Sequence, residues 1–374
     1  MPAGTSVRPS GGPTFGLASY TVDGTLDRNF GDDGFVATRF GELESRARGV
    51  AIEQNGRVVV AGEAFLVEFE YRFALARYLP NGALDRSFGG DGKVLTEFPT
   101  GPSAADDLAV QSDGKIVAIG FARASPTYGK ANFALARYLP DGNLDPAFGE
   151  GGLVVTGFPG GESFANALAI QPDGRIVVAG VADPGRFALA RYLPDGSLDQ
   201  SFGSEGKVFA DLPGETEGAA DLALQVDGRI VAIGSGDPPG EETSAFAIAR
   251  YTTDGRLDPT FSVNGSEFTV FPDDGDDGGV SVGIDSRGNI VAAGLVDYDV
   301  LERTGDWGLA RYTPEGRLDA GFGEGGLVVT SLGKLNEFVA QLVIQPDDRI
   351  VVAGGASGNL SRTRQGPALA RYLG

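Results

Sequence analysis

The chain has 374 residues, 30 of them Lys or Arg and 51 Asp or Glu, for a net charge of -21. Such a surface repels phosphate polymers and anionic lipid, so nucleic acid and membranes are poor partners, whereas a cation such as calcium suits it. Histidine and cysteine are both absent, which removes disulfides, thiol nucleophiles, Ser–His triads and the usual zinc, copper and haem ligands. Chemistry is left to Asp, Glu, Tyr, Lys and Arg, or to an ion held by oxygens.

Residues 1–14 open the chain as a polar, glycine- and proline-containing segment, predicted to be disordered or loosely laid on the surface. They carry no apolar core of signal-peptide type. No run of eighteen apolar residues follows, so no membrane-spanning helix is expected. From residue 15 to 374 the chain reads as one domain made of a repeat. A segment of the form FALARY begins at Phe15 (as FGLASY), Phe73, Phe133, Phe187, Phe246 and Trp307, at intervals of 54 to 61 residues, and ALARYLG ends the chain.

Residues 165–212 show the unit. ANALAIQPDG alternates apolar with small or polar residues and turns at Asp173-Gly174; RIVVAG follows; FALARYLPDG turns at Asp195-Gly196; SLDQSFGSEGKVFADL closes the unit. Asp-Gly between alternating runs is a strong hairpin signal, and no 3.6-residue period is sustained. Four strands per repeat, here called a, b, c and d, predict an all-β fold: a six-bladed β-propeller of four-stranded antiparallel blades. The chain opens with c and d and closes with a, b and c. This offset predicts a ring closed by pairing the N- and C-terminal strands, the d strand near Phe35–Phe40 completing the blade begun by residues 338–373. FGLASY is then the surplus copy, because Ser19 stands where the other copies carry arginine.

Twelve residues separate the start of each FALARY copy from the aspartate of its Leu-Asp pair. A residue needed once per blade packs the blade, so the arginine and aspartate are read as structural pairs: Arg77–Asp85, Arg137–Asp145, Arg191–Asp199, Arg250–Asp258 and Arg311–Asp319. The rigid guanidinium fork suits such a pairing.

The string FALARY-x-PDG-x-LD-x-x-FG-x-x-G-x-V with ALAIQPDGRIVVAG resembles the delta-60 repeat family, a bacterial β-propeller domain of unknown function. The resemblance covers about residues 15–374. It implies a propeller fold and a secreted or cell-surface setting, and it brings no catalytic residues. Local departures are Ser19, Trp307, Asp348 at a turn glycine, and Ser262-Val263-Asn264-Gly265 where FG-x-x-G is expected.

The a-to-b and c-to-d turns are uniform, whereas the b-to-c and d-to-a connections vary. One end of the blades is therefore individual, and individual loops on a rigid scaffold are where binding is usually found. Aligning the starts of the a strands places Arg48, Asp106 and Asn166 in one column and Asp107, Asp221, Ser281 and Gln341 in the next. This polar set at the mouth of the central channel is the candidate ligand site. The loop Asp273-Asp274-Gly275-Asp276-Asp277 is the densest acidic stretch, and its carboxylates are candidate calcium ligands. No other cofactor and no catalytic constellation is indicated. The expectation is a monomeric binding or adhesion scaffold that recognises a protein or glycan through the variable-loop face. The alternatives are a calcium- or carboxylate-dependent hydrolase or lyase at the channel mouth, and a structural module of a cell envelope.

Overall fold

Short alternating runs bounded by glycine turns become strands, and in the computed structural model they build an all-β propeller of antiparallel blades, with no helix among the described residues. The structure describes residues 3–8, 11–67, 70–124, 129–210, 212–241, 243–272, 275–299, 304–333, 335–357 and 365–374. Contacts group the chain into two compact units, Met1–Val178 with Tyr192–Leu198, and Ala179–Arg191 with Asp199–Gly374.

Five blades have four strands each. They are β4 (Ser45–Ile52) to β7 (Lys93–Thr96) by way of β5 (Val58–Val67) and β6 (Glu70–Tyr78); β8 (Ser103–Val110), β9 (Ile116–Arg123), β10 (Ala131–Tyr138) and β11 (Leu153–Thr156); β12 (Ser163–Ile170), β13 (Ile176–Ala182), β14 (Arg186–Tyr192) and β15 (Lys207–Phe209). The fourth and fifth are β16 (Glu215–Leu224), β17 (Ile230–Asp237), β18 (Ala245–Tyr251) and β19 (Ser266–Thr269); then β20 (Asp276–Ile284), β21 (Ile290–Asp299), β22 (Thr304–Tyr312) and β23 (Leu327–Thr330). The sixth contributes β24 (Leu335–Ile344), β25 (Ile350–Ser357) and β26 (Gln365–Tyr372). Ahead of these six stands a three-stranded sheet of β1 (Ala3–Arg8), β2 (Gly11–Ala18) and β3 (Phe35–Thr38).

This first sheet corrects the expected closure. The strand at Phe35 pairs with β2, from Phe15 opposite Thr38 to Ala18 opposite Phe35, rather than completing the blade of β24–β26. FGLASY is not surplus, and residues 3–8 are paired as strand against β2. The reason is apolar burial. Phe15 and Leu17 are fully sunk and pack with Phe30, Val58 and Val60, and Phe15 meets the Phe40 ring at 4.7 Å. Ser19 costs the copy an arginine, whereas ejecting the strand would expose two large side chains, at about 2 kcal/mol each.

The repeated string is a clasp between neighbouring blades. Period two puts Phe73, Leu75 and Arg77 on one face of β6. Phe73 and Leu75, with Phe88 and Phe98, pack against Ala134, Ala136 and Tyr138 of the next blade, whose alanines allow the close approach. Arg77 Nε donates to Asp85 Oδ2 at 2.9 Å, its guanidinium lies 4.7 Å from the centre of the Phe88 ring, and Nη1 reaches the carbonyl of Pro140 in the next blade's turn. Arg137–Asp145, Arg191–Asp199, Arg250–Asp258 and Arg311–Asp319 repeat the 2.9 Å bond. In the turn that receives Arg77, a Cβ on Gly142 would stand 2.9 Å from the Phe88 ring, so glycine is required there.

A second clasp joins four c-strand tyrosines to the d strand of the sheet before each. Tyr78 donates to Thr38 at 2.8 Å, Tyr312 to Thr269 at 2.8 Å and Tyr372 to Thr330 at 2.9 Å, and Tyr138 bonds Thr96 at 2.6 Å.

Candidate functional site

The first strand of the blade carries a recurring irregularity. The a–b register slips by one residue between Ala47 and Gly49, Ala105 and Asp107, Ala219 and Asp221, Gly279 and Ser281, and Val339 and Gln341. Each slip is a β-bulge, which re-aims the local side chains. The opposing b strand carries a glycine to admit it: a Cβ on Gly62, Gly120, Gly234, Gly294 or Gly354 would lie 1.9–2.0 Å from a backbone oxygen of its partner strand. The polar columns read from the sequence fall at these bulges, and the side chains there divide into two groups, one in each unit.

In the first unit Arg48 is gripped from two sides. It donates to Glu63 Oε1 at 3.3 Å and pairs with Asp106 Oδ1 at 3.3 Å. Arg46 approaches the same Glu63 oxygen at 3.5 Å. Burial pushes the Asp106 carboxyl up to about 6; Arg48 opposes this and Glu63 adds to it. Asp107 turns to the backbone instead, accepting the amides of Leu108 at 2.8 Å and, from the next blade, Leu168 at 3.1 Å. Asn166 is half-buried on β12.

In the second unit Asp221 is a brace between a strands. It accepts the amides of Leu222 at 2.7 Å and Val282 at 2.9 Å and the hydroxyl of Ser281 at 2.8 Å. The Ser281 oxygen in turn accepts the Leu342 amide at 3.1 Å, so three blades are tied in series. Burial pushes the Asp221 carboxyl up to about 6 against these hydrogen bonds. Gln341 stands exposed beside the bulge of β24.

The acidic loop is partly described. Asp273 and Asp274 lie outside the described residues. Asp276 accepts the Ser244 amide at 3.1 Å. Asp277 is 2% exposed and accepts the amides of Phe271 at 2.8 Å and Asp297 at 3.2 Å, which turns its carboxylate inward on the backbone. Among the described residues no group of three or more Asp, Glu, His or Cys could hold a metal ion.

Two features went unread in the sequence. One is Glu63, 4% exposed. It is the one charged residue in a column that otherwise holds Phe121, Val181, Ser235, Leu295 and Gly355, and that contrast was the available signal. The other is a row of half-buried rings at the individual end of the first three blades. Phe65 and Tyr71 lie 5.4 Å apart, Tyr71 and Phe121 6.1 Å, Phe121 and Phe164 5.0 Å. Arg46 caps Phe65 at 5.3 Å. Arg123 lies over Phe121 and Phe164, donates to the Tyr71 hydroxyl at 3.3 Å and pairs with Glu162 at 2.6 Å. The rings come from β5, β6, β9 and β12, so only the fold assembles them.

Four segments, residues 53–88, 111–148, 171–202 and 225–261, match the model of a family described as a domain of unknown function (DUF5122) beta-propeller. Each matched segment runs through one copy of the repeat, so four of the repeats are similar to those of this β-propeller family. No curated protein matches it. Among solved structures, a protein from Lactobacillus plantarum is similar at a TM-score of 0.57 and 15% identity, over 97% of this chain and 94% of that one. Virginiamycin B lyase from Staphylococcus aureus is similar at a TM-score of 0.49 and 12% identity, over 86% and 83% of the two chains. The PQQ-bound aldose sugar dehydrogenase from Streptomyces coelicolor is similar at 0.49 and 13%, over 86% and 93%. The likeness to the Lactobacillus plantarum protein speaks for a shared fold and no further.

Proposed function

We propose that the protein is a binding scaffold that takes a protein or glycan on the individual, variable-loop end of its blades. The observation that carries this reading is where the departures from the repeat collect. Glu63, Arg48 and Asp106 converge beside the row Phe65–Tyr71–Phe121–Phe164, all at one end of three successive blades. A few convergent polar groups beside aromatic side chains are the usual makings of a ligand site. The test is a selection of ligands from glycan and peptide libraries on the wild-type chain. It is repeated on a chain carrying Tyr71→Ser and Phe121→Ser, Ser being what Ser244 and Ser235 provide at those repeat positions. The reading expects the variant to fold and to lose the selected ligands. Undiminished binding by the variant would defeat it.

A second reading, a carboxylate-dependent hydrolase or lyase, draws on Asp106. Its carboxyl, pushed up to about 6, shares Arg48 with Glu63, and a carboxyl that titrates close to neutral pH suits general acid–base work. Turnover of a glycoside or uronide panel, abolished by Asp106→Asn, would favour it.

A further inference from the structure

We propose that the row Phe65–Tyr71–Phe121–Phe164 is a platform for a neutral carbohydrate chain, whose hydroxyls are held by Arg123 and Glu162. This rests on the binding reading above and names the ligand class of the same face. The fold does not need rings at these positions. In the second unit the place of Phe65 is taken by Asp237, Asp297 and Ser357, and that of Tyr71 by Ser244, Gly305 and Gln365. The place of Phe121 is taken by Ser235, Leu295 and Gly355, and that of Phe164 by Gly218, Gly278 and Phe338. Those blades pair their first three strands in the same order and carry the same bulge. Four rings in one unbroken row, 5.0 to 6.1 Å apart, therefore answer to something other than blade packing.

The chemistry of the row selects the ligand. Each ring is neither sunk nor fully proud, so it offers apolar surface of limited area. Aromatic faces are electron-rich and suit the polarised C–H face of a pyranose. The charged side chains on the row are joined, Arg123 to Glu162 at 2.6 Å. Together they present guanidinium donors beside carboxylate acceptors, and a sugar hydroxyl uses both. The net charge of -21 disfavours an acidic polysaccharide.

The experiment is calorimetric titration of the full chain with neutral hexasaccharides (cello-, xylo-, manno- and chito-hexaose), with hexagalacturonate as the acidic comparison. We expect at least one neutral sugar to bind, more tightly than the acidic one. Tyr71→Ala and Phe164→Ala should each weaken it by about tenfold or more, with Phe338→Ala, the same repeat position in the second unit, within about twofold of wild type. Unchanged far-ultraviolet circular dichroism and melting establish that each variant folds, and Arg123→Lys supplies a milder second change. Absence of binding to all four neutral sugars, or binding indifferent to both ring changes, overturns the proposal. In that event a dodecapeptide display library separates the two readings. Peptides lost on Tyr71→Ala would leave the binding scaffold standing with the wrong ligand class. No ligand of either kind would bring down both.

Discussion

Tyr251 is buried in the second unit, and its hydroxyl finds no partner among the described residues, while four of its equivalents bond a threonine. The cause is one residue. Phe246 faces Thr269 across its sheet, and the corresponding neighbour of Phe187 is Ala210, whose amide bonds the Phe187 carbonyl at 2.9 Å. Ala210→Thr should restore the clasp and stabilise the protein by about 1 kcal/mol in urea unfolding; a neutral or destabilising result would place the hydroxyl elsewhere. Asp221 makes a pH prediction at the same scale. Its folded carboxyl titrates near 6, above the ordinary value near 4. The folded state therefore holds the proton more tightly than the unfolded state. Its contribution favours folding most below about pH 4 and declines as pH rises through 6. Relative to wild type, Asp221→Asn should gain stability between pH 4 and pH 7, read by denaturant melts at each pH. A constant difference would contradict the assignment. Asp199 runs the other way: burial pulls its carboxyl up, but Ser201 and the charge of Arg191 hold it below the ordinary range. Its contribution is present at neutral pH and lost on acidification.

The strand elements were legible because the repeat states them many times over. Asp-Gly and Asn-Gly turns fixed the hairpins, and the constant spacing from FALARY to Leu-Asp brought Arg191 within 2.9 Å of Asp199. Both are nearly sealed from solvent, so Asp199→Ala leaves a buried cation and should cost roughly 3 kcal/mol; a loss under about 1 kcal/mol would show the clasp to be dispensable. The bulge was not legible from the a strands, which read as smooth alternation. Its trace lay across the hairpin, in the glycine that ends each VVVAG-like run. A methyl group on Gly120 would stand 2.0 Å from the Ala104 oxygen, and backbone cannot yield as a side chain can. Gly120→Ala should therefore destabilise by about 3 kcal/mol or more, measured against Gly41→Ala, where a Cβ meets nothing within 4 Å and the backbone is not left-handed.

At the scale of the whole chain, residues divide by whether the repeat shares them. The shared ones, arginine, aspartate, the FG phenylalanine and the turn glycine, join one blade to the next. The individual ones gather at one end of the first three blades, and they were hard to read in sequence for a physical reason. Phe65, Tyr71, Phe121 and Phe164 stand at different places in the repeat, so no column of the alignment unites them. The pairing of β3 with β2 was missed for a related reason: a count of strand types weighed the arginine lacking at Ser19 and overlooked the burial of Phe15 and Leu17. The central claim, that shared residues carry the fold and individual ones carry the ligand, is tested most directly by one paired measurement. Stability and neutral-hexasaccharide affinity are determined side by side for Asp145→Ala and Tyr71→Ala. The account predicts that Asp145→Ala loses roughly 3 kcal/mol of stability yet, while folded, keeps its affinity, whereas Tyr71→Ala keeps its stability and loses affinity by about tenfold. Affinity lost with Asp145 and retained without Tyr71 would contradict it.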